Sequence, residues 1–279
     1  MDRLLQIARK DFSDAVRDRQ LYVLGAVFLF IGLGIGYLVG SSSGNARGVD
    51  VPRIGITAMA FLGSVAAISM SYNQIVGKRA SGELRVLLSL PFSRTEVVYG
   101  TFLGRLALLV AMTTSSILVA GGLAAALGAP VSGSGLLAAI GVAAALMAVF
   151  VSLSIGLSSG SVNTTRAAAG AFGLFIVFLF RLWEGVAVAV RYVLNGFSFS
   201  PDPAPTWVRI WQHLQPMAAV RNVLAGVEPD LAVALVAYTP GVPDGEPYYA
   251  EPWFGAIVVL AWIVLPVTLG YLKLRTADL

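Results

Sequence analysis

Residues 72–105 read YNQIVGKRASGELRVLLSLPFSRTEVVYGTFLGR, a polar and basic interval with a very hydrophobic segment on each side. A charged group costs roughly 2.5–3.5 kcal/mol at the centre of a membrane helix, so this interval does not belong inside a bilayer. Its leucine, arginine and glutamate residues favour helix over a slack loop. The interval is therefore predicted to be a folded docking element, held at the membrane face by a spanning helix at each end.

The hydropathy of the whole chain indicates a membrane protein. Of its 279 residues, 57% are hydrophobic and only 12% are charged, and the mean hydropathy is +0.80. Apolar runs long enough to cross a hydrocarbon core of about 30 Å occur at residues 21–40, 54–76, 106–128, 136–159, 167–190 and 254–272. These runs are unbroken and do not alternate, which excludes a barrel. The predicted fold is an all-α polytopic membrane protein with six transmembrane helices.

Several classes of function are excluded by residues that the sequence lacks. Without cysteine there is no disulfide, iron–sulfur cluster or thiolate metal site, and the single histidine, His213, gives no histidine cluster. No G-x-x-x-x-G-K-[ST] phosphate loop occurs, so the chain is predicted not to be an ATPase. No catalytic, cofactor or metal site is therefore expected, and any ATP and Mg would be bound by a partner subunit. The net charge of +4 is better explained by basic residues that set the membrane topology than by binding of nucleic acid.

The distribution of basic residues predicts the orientation. With the N-terminus inside, 13 of the 19 Lys and Arg residues lie on the inner side and five on the outer side, while Arg181 lies within the fifth run. Because Lys and Arg concentrate at the cytoplasmic ends of spanning helices, both termini are predicted to be cytoplasmic. The expected location is the cell membrane, as a multi-pass protein.

Residues 1–20 are predicted to form an amphipathic helix. Leu5, Ala8, Phe12 and Ala15/Val16 recur at helical spacing, with charges on the opposite face. Such a helix lies along the inner membrane surface in contact with lipid. The alternative is a solvated basic lead that only sets the topology.

The docking element is predicted to begin with a short helix. Ser81 is placed to cap it, Leu84, Leu87 and Leu88 fall on one face, and Pro91 ends it. Each leucine fully buried in a partner's cleft would contribute about 1.5–3 kcal/mol. This face is therefore the predicted contact with a partner protein.

Ser93-Arg94-Thr95-Glu96 then fits a capping box, which starts a second helix that continues into the membrane. Residues 77–105 would thus be a helix, a hard turn and a helix that move as one rigid unit. The alternative for the basic residues Lys78, Arg79 and Arg105 is that they only anchor the topology.

Residues 191–253 form a long outer segment that holds nine of the 13 prolines. Apolar spacing over residues 206–227, interrupted at Pro216, predicts two short helices lying at the outer interface. Aromatic residues are placed to anchor them there: Trp207, Trp211, Tyr248, Tyr249 and Trp253. The prolines argue against a packed domain, so the segment is predicted to be a lid or gate, or else a loosely folded spacer.

Two charged residues fall within the fifth apolar run. Arg181 and Glu184 are one helical turn apart and can pair, and intramembrane charges are functional candidates. Alternatively, Arg181 lies about 22 Å beyond Arg166 along the helix and reaches the outer headgroups. With Trp211 and Pro216, the pair makes up the candidate pathway or gate.

Residues 156–160, GLSSG, match the G-x-S-x-G pattern of serine hydrolases. That motif needs a strand, a turn, a helix and a histidine partner. Here it ends a spanning helix on the inner side, whereas His213 is predicted outside. Small residues for helix packing explain it better.

The motifs IARKDFSDAVRDRQ (7–20), IVGKRASGELRVLLSLPFSR (75–94) and YGTFLGR (99–105) resemble the ABC-2 type transporter permeases. The resemblance is to the branch that includes the nitrous-oxide-reductase maturation permease. It implies that residues 81–90 form a coupling helix that docks on a separate ATPase, with Glu83 and Arg85 as the polar contacts. The chain departs from the family pattern at Lys78, where an acid is usual, and at Thr101, where lysine is frequent.

The leading hypothesis is a permease subunit of an ATP-driven exporter. Its expected partners are an ABC ATPase, membrane lipid, and a second copy of the permease or a sibling permease. A stand-alone secondary transporter or channel, and an intramembrane enzyme, are the alternatives. The spanning segments contain no acidic cluster for cations and no Met/His/Cys path for copper, so they do not identify the cargo.

Overall fold

The structure, a computed structural model, describes residues 2–42, 44–199, 203–239 and 247–277. All regular secondary structure in these residues is helical. The α-helices are α1 (Asp2–Val16), α2 (Arg19–Ser41), α3 (Asp50–Ala58), α4 (Ser64–Ser71), α5 (Val76–Ala80), α6 (Glu83–Ser89), α7 (Arg94–Ala126), α8 (Gly133–Gly160), α9 (Thr164–Leu179), α10 (Leu182–Leu194), α11 (Thr206–His213), α12 (Pro216–Val227), α13 (Pro229–Ala232) and α14 (Pro252–Arg275). A π-helical turn, Met59–Gly63, joins α3 to α4, and 3-10 turns cover Val233–Tyr238 and Tyr248–Ala250. Residues 200–202 and 240–246 of the predicted outer segment lie outside the described residues.

Five described stretches are long and apolar enough to cross a membrane: Arg19–Ser41, Asp50–Ala80, Arg94–Ala126, Gly133–Gly160 and Pro252–Arg275. A sixth is added if the pair Thr164–Leu179 and Leu182–Leu194, which is bent by 72°, counts as one span. The prediction of an all-α membrane protein with several spans is therefore confirmed.

The fifth span, predicted as one helix over residues 167–190, is broken between α9 and α10. Arg181 adopts the left-handed conformation at φ 57°, which an α-helix cannot contain. At the break, the Phe178 carbonyl accepts from the Arg181 N–H at 3.2 Å and also from the Gln215 side chain at 2.9 Å. Since Gln215 lies 37 residues along the chain, the apolar run alone gave no sign of the break.

The capping box predicted at residues 93–96 is confirmed. The Ser93 hydroxyl oxygen accepts from the Glu96 N–H at 3.2 Å, and the Glu96 carboxylate accepts from the Ser93 N–H at 2.7 Å. The helix α7 that starts there continues without interruption to Ala126. The second half of the predicted docking element is therefore the first part of a spanning helix.

Helix α8 lies at the centre of the bundle, packed against α4, α7 and α14. Its closest approach is to α14, because a Cβ on Gly156 would overlap the Pro266 carbonyl and a Cβ on Gly270 would overlap the Gly156 backbone. The Ser152 hydroxyl bridges the two helices there. It donates to the Ile263 carbonyl at 2.7 Å and accepts from the Val267 N–H at 3.2 Å, which fills the gap that Pro266 opens in the hydrogen bonds of α14.

The two ends of the bundle differ in structure. One end, called the terminal face, carries α1, α5, α6 and the C-terminus of α14, which are joined by side-chain contacts. The opposite end, called the lid face, carries α11, α12, α13 and the start of α14.

Candidate functional site

Helix α1 packs on α7 through two glycines. A Cβ on Gly100 would lie 2.8 Å from the Ile7 Cβ, and one on Gly104 would lie 2.7 Å from the Ala8 carbonyl oxygen. A second apolar stripe of α1 points away from α7, since Leu5 is 54%, Phe12 37% and Val16 38% exposed. The helix therefore has one face for α7 and one that suits a lipid interface, and it ends at Val16.

A buried carboxylate joins α1 to the rest of the terminal face. Asp11 is 4% exposed, and its two oxygens lie 2.9 Å from Arg105 Nε and 3.7 Å from Lys78 Nζ. Arg105 also donates to the Gln74 side-chain oxygen at 2.9 Å. Burial raises the pKa of Asp11, while Arg105 and Lys78 act to lower it. The cluster of Asp11, Lys78, Arg105 and Gln74 thus ties three helical segments together.

Sequence reasoning missed Asp11, although its position carried a signal. It stands four residues after Ile7 and four before Ala15, both of which are buried against the bundle. An acid at a buried position of an amphipathic helix requires a cationic partner. Lys78 and Arg105 were assigned only to topology anchoring or to family resemblance, and the structure gives both a specific ion pair.

Helix α5 is held by a serine of α8. The N–H groups of Ile75 and Val76 donate to the Ser158 hydroxyl oxygen at 3.1 and 3.0 Å, and Ser158 is 1% exposed. Its hydroxyl therefore satisfies amides at the start of a helix, as an N-cap side chain does, but from another part of the chain. Ser158 is the serine of the G-x-S-x-G match, whose glycines Gly156 and Gly160 lie against α14.

The leucine face of α6 packs partly against this chain, so less of it is open to a partner than the sequence predicts. Leu84 is fully buried within this chain, and Leu87 and Leu88 are half-buried. Leu88 packs on the central core, and Leu87 lines a small crevice against α1. Helical spacing placed these leucines on one face correctly, and the permease itself covers Leu84 fully and the other two in part.

Ser81 meets the start of α6 as a capping residue would, because its hydroxyl oxygen accepts from the N–H of Glu83, the first residue of α6, at 3.5 Å. It ends α5, where its hydroxyl donates to the Lys78 carbonyl at 3.3 Å. The residue before α6 is Gly82, which turns the chain at φ 80°. Glycine suits that left-handed position.

The opposite side of α6 is open. Glu83, Arg85 and Pro91 are exposed, and so are two large apolar side chains, Val86 at 65% and Leu90 at 49%. This set of five residues is called the α6 outer surface. The turn after α6, which contains Pro91, is attached to α1, because Arg3 donates to the Pro91 carbonyl at 2.9 Å.

Arg94 connects the start of α7 to the end of α14. Its Nη1 donates to the carbonyls of Leu274, Arg275 and Ala277 at 2.5, 3.0 and 3.0 Å. The last carbonyls of a helix have no partner within it, and a cation there is favoured by the helix dipole. The polar turn after α6 is thereby attached to the last spanning helix.

On the other side of the bundle, Arg181 and Glu184 form the predicted pair. Arg181 Nε and Nη2 donate to the two Glu184 oxygens at 2.9 and 2.6 Å. The Glu184 side chain is 9% exposed and that of Arg181 is 44% exposed. The pair sits at the break between α9 and α10, where it holds the left-handed residue in place.

Trp211 packs against a tryptophan that sequence reasoning missed. The rings of Trp183 and Trp211 are stacked with centroids 4.3 Å apart. Trp262 adds an edge contact to Trp183, and its ring N–H donates to the Leu214 carbonyl at 2.8 Å. The sequence feature that could have identified Trp183 is its position between Arg181 and Glu184.

Pro216 begins α12, and two short helices, α11 and α12, lie on either side of the 213–216 connection as expected. Helix α12 is packed more deeply than a helix that only rests on a surface. Met217, Ala218 and Ala219 are fully buried, because α12 packs into the bundle against α14 and α8. The Gly255 backbone allows this, since a Cβ there would overlap the Ala219 carbonyl.

A cluster of buried polar side chains lies under the lid face. The Asn222 side-chain amide donates to the Tyr249 carbonyl at 3.0 Å and lies 3.1 Å from His213 Nδ1. Arg221 donates to the Thr239 hydroxyl at 2.9 Å. Burial, with a smaller contribution from Arg221, lowers the pKa of His213 to about 4.

Comparison with known proteins is consistent across the chain. A model of the ABC-2 family transporter proteins matches residues 5–279. The probable ABC transporter permease protein NosY of Pseudomonas aeruginosa is 31% identical over 270 residues, which cover 91% of this chain and 94% of that protein. The protein of the same name from Stutzerimonas stutzeri is 30% identical over an alignment of 294 residues, which covers 99% of each.

These similarities confirm the permease subunit of an ABC transporter over a stand-alone transporter, a channel or an intramembrane enzyme. The chain belongs to the ABC-2 transporter family and is a permease, a multi-pass membrane subunit without an ATPase domain.

Proposed function

We propose that a separate ATPase docks on the α6 outer surface and drives this permease as an exporter. The observation that carries the proposal is the exposure of Val86 on α6 and of Leu90 directly after it, with Glu83 and Arg85 beside them. Exposed apolar side chains ringed by charged ones are typical of a protein contact. ATP and Mg would be bound by that ATPase.

Three contacts favour transmission of a force on α6 to the spanning helices. Ser158 joins the start of α5 to α8, Arg94 joins the turn after α6 to α14, and Asp11 joins α5 to α1 and α7. A short helix held at several points moves with its neighbours. We therefore assign the docking segment a mechanical role.

The proposed topology has six crossings with the terminal face in the cytoplasm of the cell. Both the N-terminal and C-terminal helices contact the docking segment, so the chain begins and ends on one side. An even number of crossings follows, which requires the bent pair α9 and α10 to cross once. The excess of Lys and Arg on the terminal face supports a cytoplasmic position.

Two permeases with two ATPases would form the transporter, either as a homodimer or with a sibling permease. The candidate pathway or gate residues Arg181, Glu184, Trp211 and Pro216 all lie near the break in the fifth span. Closure of the ATPases would displace α14 and α8, on which α12 rests. We propose that this displacement opens the lid.

The docking proposal is tested by co-purification of the permease with a candidate ABC ATPase subunit. The double variant Val86→Asp/Leu90→Asp is expected to lose the complex while folding normally, since both side chains are exposed. Val162→Asp is the matched control, because Val162 is 75% exposed in the α8–α9 turn. Assembly of the double variant at the level of the control would rule out docking on this surface.

A further inference from the structure

A groove of about 780 Å³ lies between α8, α12 and α14. Small residues of α8, namely Ala138, Gly141 and Ala145, form one wall, and α12 valines and α14 side chains form the others. Its size is within the range of sites that hold small molecules, about 300–1,000 Å³. Two leucines at its edge, Leu137 and Leu260, are 72% and 60% exposed, so the groove opens sideways toward lipid.

The groove is polar at one end only. Ser134 and Glu228 lie at the end near the lid face, and the lining residues deeper along α8 are apolar. From Ser134 to Ala145 the helix rises about 16 Å, roughly half of a hydrocarbon core of 30 Å. The groove therefore has the length and polarity of one leaflet, with its polar end at the headgroups.

The polar end selects a positive group. The Glu228 carboxylate is half-buried and makes no hydrogen bond or ion pair with the residues that the structure describes. Asp230, two residues further on, is exposed and adds a second negative charge nearby. A half-buried carboxylate beside an apolar channel favours an amphiphile with a cationic head over an anionic one.

We propose that this groove binds a lipid from the leaflet on the lid side, with an acyl chain along α8 and an amine-bearing head at Glu228. The proposal does not depend on docking of an ATPase. The acyl chain of the lipid packs into the groove, and the carboxylate selects the headgroup. Apolar surface alone does not distinguish one lipid from another inside a membrane.

The test uses native mass spectrometry on the full chain in detergent, titrated with lysophosphatidylethanolamine or lysophosphatidylglycerol that carry the same palmitoyl chain. The wild-type protein is expected to bind the ethanolamine lipid saturably and to prefer it by about threefold to tenfold. Glu228→Gln is expected to equalise the two lipids. This change is expected to leave the fold intact, because it keeps the size of the side chain and removes only the charge.

Gly141→Leu is the variant that fills the groove. A Cβ at Gly141 meets no atom within 4 Å, so the leucine enters open space and is expected to weaken lipid binding about tenfold. Gly34→Leu on α2 is the matched control, because that Cβ also meets nothing within 4 Å and lies away from the groove. Lipid binding by Gly34→Leu is expected to equal that of the wild type.

Three results would overturn the proposal. One is equal affinity of the wild type for the two lipids. Another is unchanged lipid binding by Gly141→Leu. The third is a change in oligomeric state on Gly141→Leu, which would assign the groove to a second copy of the chain.

Discussion

The indole N–H of Trp183 donates to the backbone carbonyl of Trp211 at 2.8 Å, and the indole N–H of Trp211 donates to the carbonyl of Trp183 at 2.7 Å. The two rings are parallel to within 6°. This reciprocal contact joins α10, just after the break in the fifth span, to α11 on the lid face. The bent span and the lid are therefore one mechanical unit.

Trp211→Phe is expected to loosen that unit. Phenylalanine keeps a ring but cannot donate, so the Trp183 carbonyl loses its bond and the stack shrinks, at a cost of about 1–3 kcal/mol. Hydrogen exchange should rise in α10 and α11 and stay unchanged in α1. Trp253→Phe is the control, because Trp253 is 54% exposed at the start of α14. Equal exchange in the two variants would contradict the reciprocal contact.

Asp11→Asn is expected to destabilise the terminal face by about 3 kcal/mol, because it leaves the buried Arg105 charge without its carboxylate. The thermal midpoint measures the loss. Asp14→Asn, an exposed change on the same helix, should have little effect. In a double-mutant cycle, the double variant Asp11→Asn/Arg105→Gln should lose less stability than the sum of the losses of the two single variants. Strict additivity would show that the pair is not coupled.

Lowering the pH is expected to weaken the lid. His213 stays neutral in the folded protein down to a pKa of about 4, whereas the unfolded chain takes up a proton near 6.5. Stability from this group is therefore complete above pH 6.5 and falls by up to about 3 kcal/mol as the pH drops to 4. The difference in thermal midpoint between the wild type and His213→Gln, followed over this range, isolates the effect. A constant difference would contradict it.

Ser158→Ala is expected to weaken the attachment of α5 to α8 rather than to remove a hydrolase. The N–H groups of Ile75 and Val76 lose their acceptor, at a cost of about 1–2 kcal/mol. Limited proteolysis between α4 and α6 should become faster. Ser154→Ala is the control, since the Ser154 hydroxyl bonds only within α8, to the Phe150 carbonyl. Equal proteolysis of the two variants would remove Ser158 from this role.

The docking segment shows which features of the structure a local sequence pattern can predict. The capping box at Ser93 and Glu96 was predictable because both partners lie within four residues and bond each other. The leucines of α6 were predictable as one face, but spacing cannot tell whether a partner or the chain itself covers that face. Leu84 is buried because α6 folds back onto the bundle.

The sequence by itself determined the membrane class and the approximate position of five spans, since hydropathy is a property of short segments. Its local motifs determined the family. Tertiary structure alone decided the break at Arg181, the partners of Asp11 and the exposed side of α6. Each of these depends on residues far apart in the chain: Gln215 bonds the Phe178 carbonyl, and Arg105 pairs with Asp11. Contacts at such separations leave no period in a single sequence, because only folding brings their partners together.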